Sequence, residues 1–216
     1  MSLCKDSIVQ ILHTSFDRQF TKGEWELNFR LLPGQIQARI IRYHRWQDRQ
    51  AKVLGYLLLR EGLLNYGYTL KSDVFIDHFG RPYVHHKVDF NISHTDGYVV
   101  CALTSQGRVG IDIEKIKPID FTNLKDCMNA LQWEKIKESN NIYASFFDFW
   151  TIKESALKAD GRGLFLPLDK VVIHGNKVTL DGISWYLTRL DISPDSSCHL
   201  ACDMKNKQLE ITKIHY

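Results

Sequence analysis

Asp112 and Glu114 stand two residues apart in Val109-Gly110-Ile111-Asp112-Ile113-Glu114. In a strand, residues i and i+2 emerge on one face, so both carboxylates would point one way and the two isoleucines the other, into a core. Paired acids repel, and a bound cation or a shared proton relieves the repulsion. Hard oxygen donors of this kind suit Mg²⁺, which takes one or two carboxylates, waters and substrate phosphates; ligand hardness alone leaves Mn²⁺ open as well. The plain alternative is a half-exposed strand whose acids face water. Further along, Trp150, Glu154 and Lys158 follow i, i+4, i+8 spacing and would share one helix face. An acid there could ligate a metal or accept a proton, and the lysine could steady a departing phosphate. The alternative is an ordinary surface Glu–Lys pair.

Three other groupings carry polar chemistry. Asn91-Ile92-Ser93-His94-Thr95 runs from a strand into the turn Asp96-Gly97, a place suited to ligand contacts. Its hydroxyls and imidazole could meet phosphate. A Ser93/His94 hydrolase is the rival reading, although adjacent Ser and His diverge and no G-x-S-x-G elbow is present. Gly80-Arg81-Pro82 is a basic turn. Arg39, Arg42, Arg45 and Arg49 recur at helical spacing, extended by Lys52, and predict one basic stripe on a long helix. Such a stripe is a solvated face, a phosphate or acidic-partner contact, or, with Tyr43 and Trp46 interleaved, a nucleic-acid or coenzyme-binding surface of a non-catalytic module.

The elements that must position these residues divide into two similar sets. The first has a short strand at 8–12, a helix over 35–63, and strands at 74–77, 89–92 and 98–104. The second has a strand at 108–116, loop and short helix over 121–139, and a helix over 143–159 closed by Asp160-Gly161. A hairpin (171–174 and 177–180) turns through Gly175-Asn176, and three strands follow at 184–191, 198–203 and 209–214. Each set is a helix plus mostly antiparallel strands. The expectation is an α+β fold of two lobes, residues 1–104 and 105–216, meeting near Thr104–Arg108.

Composition narrows the class. With 28 basic and 25 acidic side chains, the formal charge is +3, which argues against a general nucleic-acid coat. A 44% hydrophobic and 25% charged chain is an ordinary globular one, excluding wholesale disorder and fibrous repeats. The longest apolar runs are far short of the ~20 residues of a membrane helix. The stretch around Lys5 and Asp6 has no extended apolar run, so no secretory leader is expected. Five cysteines, an odd number without C-x-x-C, suit a reduced compartment and hence the cytoplasm. Cys198 and Cys202, four apart on a strand, read as small buried or edge thiols, not a zinc pair.

In order and combination, Gly80-Arg81-Pro82, Phe90-Asn91-Ile92-Ser93-His94, Gly110-Ile111-Asp112-Ile113-Glu114 and Trp150-Thr151-Ile152-Lys153-Glu154-Ser155 with Lys158 closely resemble the signature set of the 4′-phosphopantetheinyl transferases. The length is similar to the long, Sfp-type class, whose chain folds as a pseudo-dimer of two α+β lobes. That resemblance implies transfer of the phosphopantetheine arm of coenzyme A to a serine of an apo acyl or peptidyl carrier protein, with release of 3′,5′-ADP. It implies Mg²⁺ held by Asp112, Glu114 and Glu154, Glu154 as the base for the serine, and Lys158 on the departing phosphate. It further implies coenzyme A contacts from Arg81, Pro82, Ser93 and His94, assisted by Lys153, in a monomer acting away from membranes. Arg81 replaces a lysine common in the family, and Thr95 stands where serine is frequent. The family's N-terminal phosphate-binding lysines have no clean counterparts, so Arg39, Arg42, Arg45 and Arg49 are the candidates for the 3′-phosphate or for an acidic carrier serving fatty-acid, polyketide or peptide assembly.

Overall fold

A computed structural model describes residues 7–70, 74–84, 88–163, 166, 168 and 171–216; Cys4 lies outside them. The chain forms two compact units, Met1–Gln106 with Asn206–Tyr216, and Gly107–Lys205.

The first unit opens with β1 (Ser7–Ser15), followed by α1 (Lys22–Phe29), α2 (Gly34–Ile40) and α3 (Trp46–Leu64). Four strands follow: β2 (Val74–Ile76), β3 (Pro82–Val84), β4 (Asp89–Thr95) and β5 (Tyr98–Thr104). Helix α3 buries Leu54, Leu58 and Leu63 in a core shared with Phe90, Val99 and Leu103 of the sheet. It lies so close that a Cβ on Gly62 would come within 2.6 Å of Leu103.

One long helix over 35–63 was expected; the structure has two, separated by residues 41–45. All five of those residues are exposed. A helix in a protein is held chiefly by its packed apolar face, and here no such face exists. Arg45 is accordingly extended, at φ −77° and ψ 134°. The basic stripe is therefore split. Arg39 sits on α2, Arg42 and Arg45 in the connection, and Arg49 on α3.

The second unit contains β6 (Val109–Lys115), a 3₁₀ turn (Thr122–Cys127), α4 (Ala130–Glu138) and α5 (Ile142–Asp160). It continues with β7 (Val172–His174), β8 (Lys177–Leu180), β9 (Ile183–Arg189) and β10 (Ser196–Cys202). The sheet order is β6-β10-β9-β8-β7, antiparallel throughout. Asn141 caps α5 by accepting from the Ala144 N–H, and Gly161 ends it in the left-handed region at φ 92°. Cys101, Cys198 and Cys202 are buried thiols outside any disulfide, and burial pushes Cys101 and Cys198 well above the usual thiol range.

The last strand, β11 (Lys207–Lys213), returns to the first unit and pairs parallel with β1, giving the order β11-β1-β5-β4. Residues 206–216 thus do not belong with 105–205 as expected. A strand's alternation reveals that it is a strand but not which edge it joins. The α+β expectation holds: each unit lays one 19-residue helix on a largely antiparallel sheet.

Candidate active site

The acids of β6 are aimed by a glycine. A Cβ on Gly110 would overlap Ser155 O and Ala159 N of α5 and lie 2.9 Å from Ala159 Cα. The strand therefore meets the helix backbone directly at Gly110, against the small, fully buried Ser155 and Ala159. Strand alternation then turns Asp112 and Glu114 toward the same helix, while Ile111 and Ile113 are buried on the opposite face. On α5, Glu154 and Lys158 each precede one of the two small contact residues by one position, so they flank the point of closest approach.

Lys158 Nζ donates to Asp112 Oδ1 at 2.5 Å, with the aspartate side chain 4% and the lysine 28% exposed. Burial pushes the Lys158 ammonium down, but Asp112, and behind it Glu154 and Glu114, carry it above its usual value. Burial chiefly, and then the Asp112 charge, raises the Glu154 carboxyl above the ordinary range, against the pull of Lys158. The strand pair, the helix acid and the helix base thus act on one another within a single field. Among the described residues no group of three or more His, Cys, Asp or Glu side chains is arranged to hold a metal. The expected three-acid metal cluster is not formed as such: the Lys158 ammonium sits on Asp112 and balances its charge. The donor set itself, carboxylates coupled through Lys158, has the hard-oxygen chemistry that Mg²⁺ requires.

Beside this pair lies a buried polar chain that sequence reasoning missed. The cross-strand register sets His199 opposite Asp112 and Ser197 opposite Glu114. His199 Nδ1 is 2.8 Å from Thr151 Oγ1, which is 3.0 Å from Ser197 Oγ. Ser197 donates to Asp148 Oδ1 at 2.6 Å, and Asp148 Oδ2 accepts from Arg189 at 2.6 Å. Its members are 46–49 residues apart across α5 and β10, and no local spacing announces them.

Burial holds the His199 imidazole down at about 4, below its ordinary 6.5. It is neutral in the fold and must gain a proton on unfolding between these values, so stability is full above pH 6.5 and declines toward pH 4. Unfolding free energy of the wild type, minus that of His199→Leu, is expected to drop by about 3 kcal/mol between neutral pH and pH 4. Urea titrations at both pH values check this, and a pH-independent difference would contradict a buried neutral imidazole.

The remaining sequence candidates fall in different surroundings. Lys153 is interior, 1% exposed, with Nζ donating to Cys127 O at 2.6 Å and Leu168 O at 3.2 Å. Its ammonium ties the 3₁₀ turn to the segment after α5. In the first unit, the buried Arg81 guanidinium holds both Asp89 oxygens, at 2.9 and 2.8 Å, and Phe90 O at 3.1 Å. Ser93 and His94 are neighbours on β4, so alternation sends them to opposite faces, with Ser93 buried. Arg39, Lys52, Tyr43, Pro82 and Asn91 line a cavity of about 240 Å³. Arg42 is exposed, Arg45 lies 3.7 Å from Asp96, and Arg49 lines a separate aromatic pocket with Trp25 and Trp46. The 1170 Å³ cavity of the second unit is lined by Phe121, Leu131, Trp133 and Tyr143, and by none of Asp112, Glu114, Glu154 or Lys158.

Residues 108–210 match the family model of the 4′-phosphopantetheinyl transferase superfamily, and residues 19–106 match the model of the 4′-phosphopantetheinyl transferase N-terminal region. The chain is 36% identical over 145 residues to the 4′-phosphopantetheinyl transferase gsp of Aneurinibacillus migulanus, covering 65% of this chain and 61% of that protein. It is 31% identical over 159 residues to 4′-phosphopantetheinyl transferase Sfp of Bacillus subtilis (strain 168), covering 71% and 70%. A mouse (Mus musculus) L-aminoadipate-semialdehyde dehydrogenase-phosphopantetheinyl transferase is 26% identical over 185 residues, covering 74% and 58%. The two family models meet where the compact units divide near residues 106–108, the second match running on into β11 of the first unit, and the β6 acids and the α5 Glu–Lys pair fall inside the second matched region. By these matches and by its two-unit architecture, the chain belongs to the 4′-phosphopantetheinyl transferase superfamily and is of the Sfp type.

Proposed function

We propose that this protein transfers the 4′-phosphopantetheine group of coenzyme A to a serine hydroxyl of an apo carrier protein, releasing 3′,5′-ADP, with Mg²⁺ bound at the β6 acids, in the cytoplasm. The observation that carries the reading is the coupling of Asp112, Glu114 and Glu154 with Lys158 in one buried field, inside a chain of this family. The serine oxygen forms a bond to the phosphorus that bears the pantetheine arm. The bond from that phosphorus to the bridging pyrophosphate oxygen breaks, and its electron pair leaves on the ADP phosphate.

Glu154 takes the serine proton; its raised pKa makes it a stronger base than an exposed carboxylate. Lys158 holds positive charge toward the phosphate that departs. Asp112, Glu114 and Glu154 would hold the Mg²⁺, which when bound neutralises pyrophosphate charge. In the first unit, Arg39 and Pro82 beside Lys52 line a cavity that supports coenzyme A contacts there. Ser93, His94, Arg42, Arg45 and Arg49 remain candidates for phosphate or for the acidic carrier, and Arg81 and Lys153 act by bracing their surroundings.

Release of 3′,5′-ADP in step with carrier modification is the direct test of the reaction. Excess EDTA is expected to stop release, and added Mg²⁺ or Mn²⁺ to restore it. Full activity in chelator would contradict the dication and revive a Ser93/His94 hydrolase.

A further inference from the structure

We propose that His199 is a positioning residue for the reaction, held as the Nδ1–H tautomer, and that the chain His199–Thr151–Ser197–Asp148 clamps α5 onto the sheet so that Glu154 and Lys158 stand over Asp112. The kinetic part of this inference rests on the transferase reading; the tautomer does not.

The tautomer follows from counting protons. Ser197 has one hydroxyl proton, and the Asp148 carboxylate at 2.6 Å is its strongest acceptor. Thr151 also has one, with Phe147 O at 2.8 Å, Ser197 Oγ at 3.0 Å and His199 Nδ1 at 2.8 Å as close partners. If Thr151 gave its proton to His199, two oxygen–oxygen contacts, with Phe147 O and with Ser197 Oγ, would have no proton between them. If His199 donates instead, Thr151 serves one of those oxygens and only one contact is left bare. The imidazole N–H then donates to Thr151, whose own proton serves Phe147 O or Ser197, while Ser197 donates to an anion that Arg189 balances.

The location gives the clamp its consequence. Thr151, Ser197 and His199 are at most 6% exposed, so an unmade hydrogen bond there is costly. Thr151 lies one turn before Glu154 and Ser155, and Ser155 with Ala159 rests on Gly110. The close backbone contact at Gly110 lets the helix approach but does not by itself choose its rotation. The directional bonds from Thr151 and Asp148 to β10 do, and they tie the helix to the two residues that lie opposite Asp112 and Glu114. A shift of about 1 Å at reacting groups costs up to ~10²-fold in rate.

Two measurements test this. Long-range ¹⁵N–¹H correlation spectra of the wild-type imidazoles, with His199 assigned from its absence in a His199→Gln spectrum, should show Nδ1 protonated and Nε2 bare at neutral pH. The Nε2–H form would overturn the proposal. In transfer assays with coenzyme A, Mg²⁺ and an apo carrier, His199→Gln and Thr151→Val should lose ~10–100-fold in kcat with KM for coenzyme A little changed. His199→Asn, whose amide N–H reproduces the Nδ1 donor, and Thr151→Ser should recover most of that loss. A His199→Gln enzyme as fast as wild type, or a His199→Asn enzyme as slow as His199→Gln, would overturn the clamp. A wild type that modifies no carrier would instead overturn the transferase reading, leaving the spectrum to decide the tautomer.

Discussion

Glu154→Gln is expected to bind coenzyme A normally and to lose ~10²–10⁴-fold in turnover, the range by which a positioned general base contributes. The amide preserves shape and hydrogen-bonding reach but cannot accept the serine proton. The pH profile should carry the same signature. The base works only when ionised, so activity falls as pH drops through its pKa. Burial and Asp112 raise that pKa in the metal-free protein, so direct titration of the Glu154 carboxyl without metal, followed by NMR, should run above that of an ordinary carboxylate. Steady-state kinetics with coenzyme A binding measured separately, by calorimetry, checks the split. Unchanged turnover would remove Glu154 from the proton transfer, and lost binding would make it a substrate-holding group instead.

The second large effect is expected at a residue with no polar side chain of its own. Gly110→Ala adds one methyl where Ser155 O and Ala159 N already stand, and these are backbone atoms that cannot rotate aside. The helix must lift or slide. Overpacking of this kind costs about 1–3 kcal/mol in stability. The functional loss should be larger in proportion, since Glu154 and Lys158 ride on the displaced turn, and ~10²-fold in kcat is expected for a displacement near 1 Å. Thermal unfolding and kinetics on the same preparation separate the two. A folded Gly110→Ala protein with wild-type kcat would show that the close approach of α5 to β6 is not what aligns the site.

Both effects bear on what could be read from residues in order. The β6 acids and the α5 Glu–Lys pair were legible because each depends on a local period, two for the strand and nearly four for the helix, and each survives folding intact. Lys153 illustrates the limit. Its neighbours in sequence mark an active helix, but one position on a helix is a rotation of 100°, and that turns Lys153 into the interior, onto Cys127 O and Leu168 O. The arginine stripe failed for a related reason: its spacing is helical, but residues 41–45 bury nothing, so the helix breaks there. Helix α1 had a readable sign, the Thr21-x-x-Glu24 capping box, which both forms its reciprocal bonds and precedes a short turn of helix with no buried residue to strengthen the pattern. The Thr151–Ser197–His199 chain and the pairing of β11 with β1 had none, because each joins segments whose meeting is decided only by the whole fold.

The central claim is that this protein moves the phosphopantetheine arm onto a carrier serine. Intact-mass analysis of an apo acyl or peptidyl carrier protein, after incubation with this protein, coenzyme A and Mg²⁺, tests it most directly. The account predicts a gain of one phosphopantetheinyl group per carrier, absent when the acceptor serine is replaced by alanine. Carriers of several kinds that all keep their starting mass, in a preparation that binds coenzyme A, would contradict it and leave a binding module in its place.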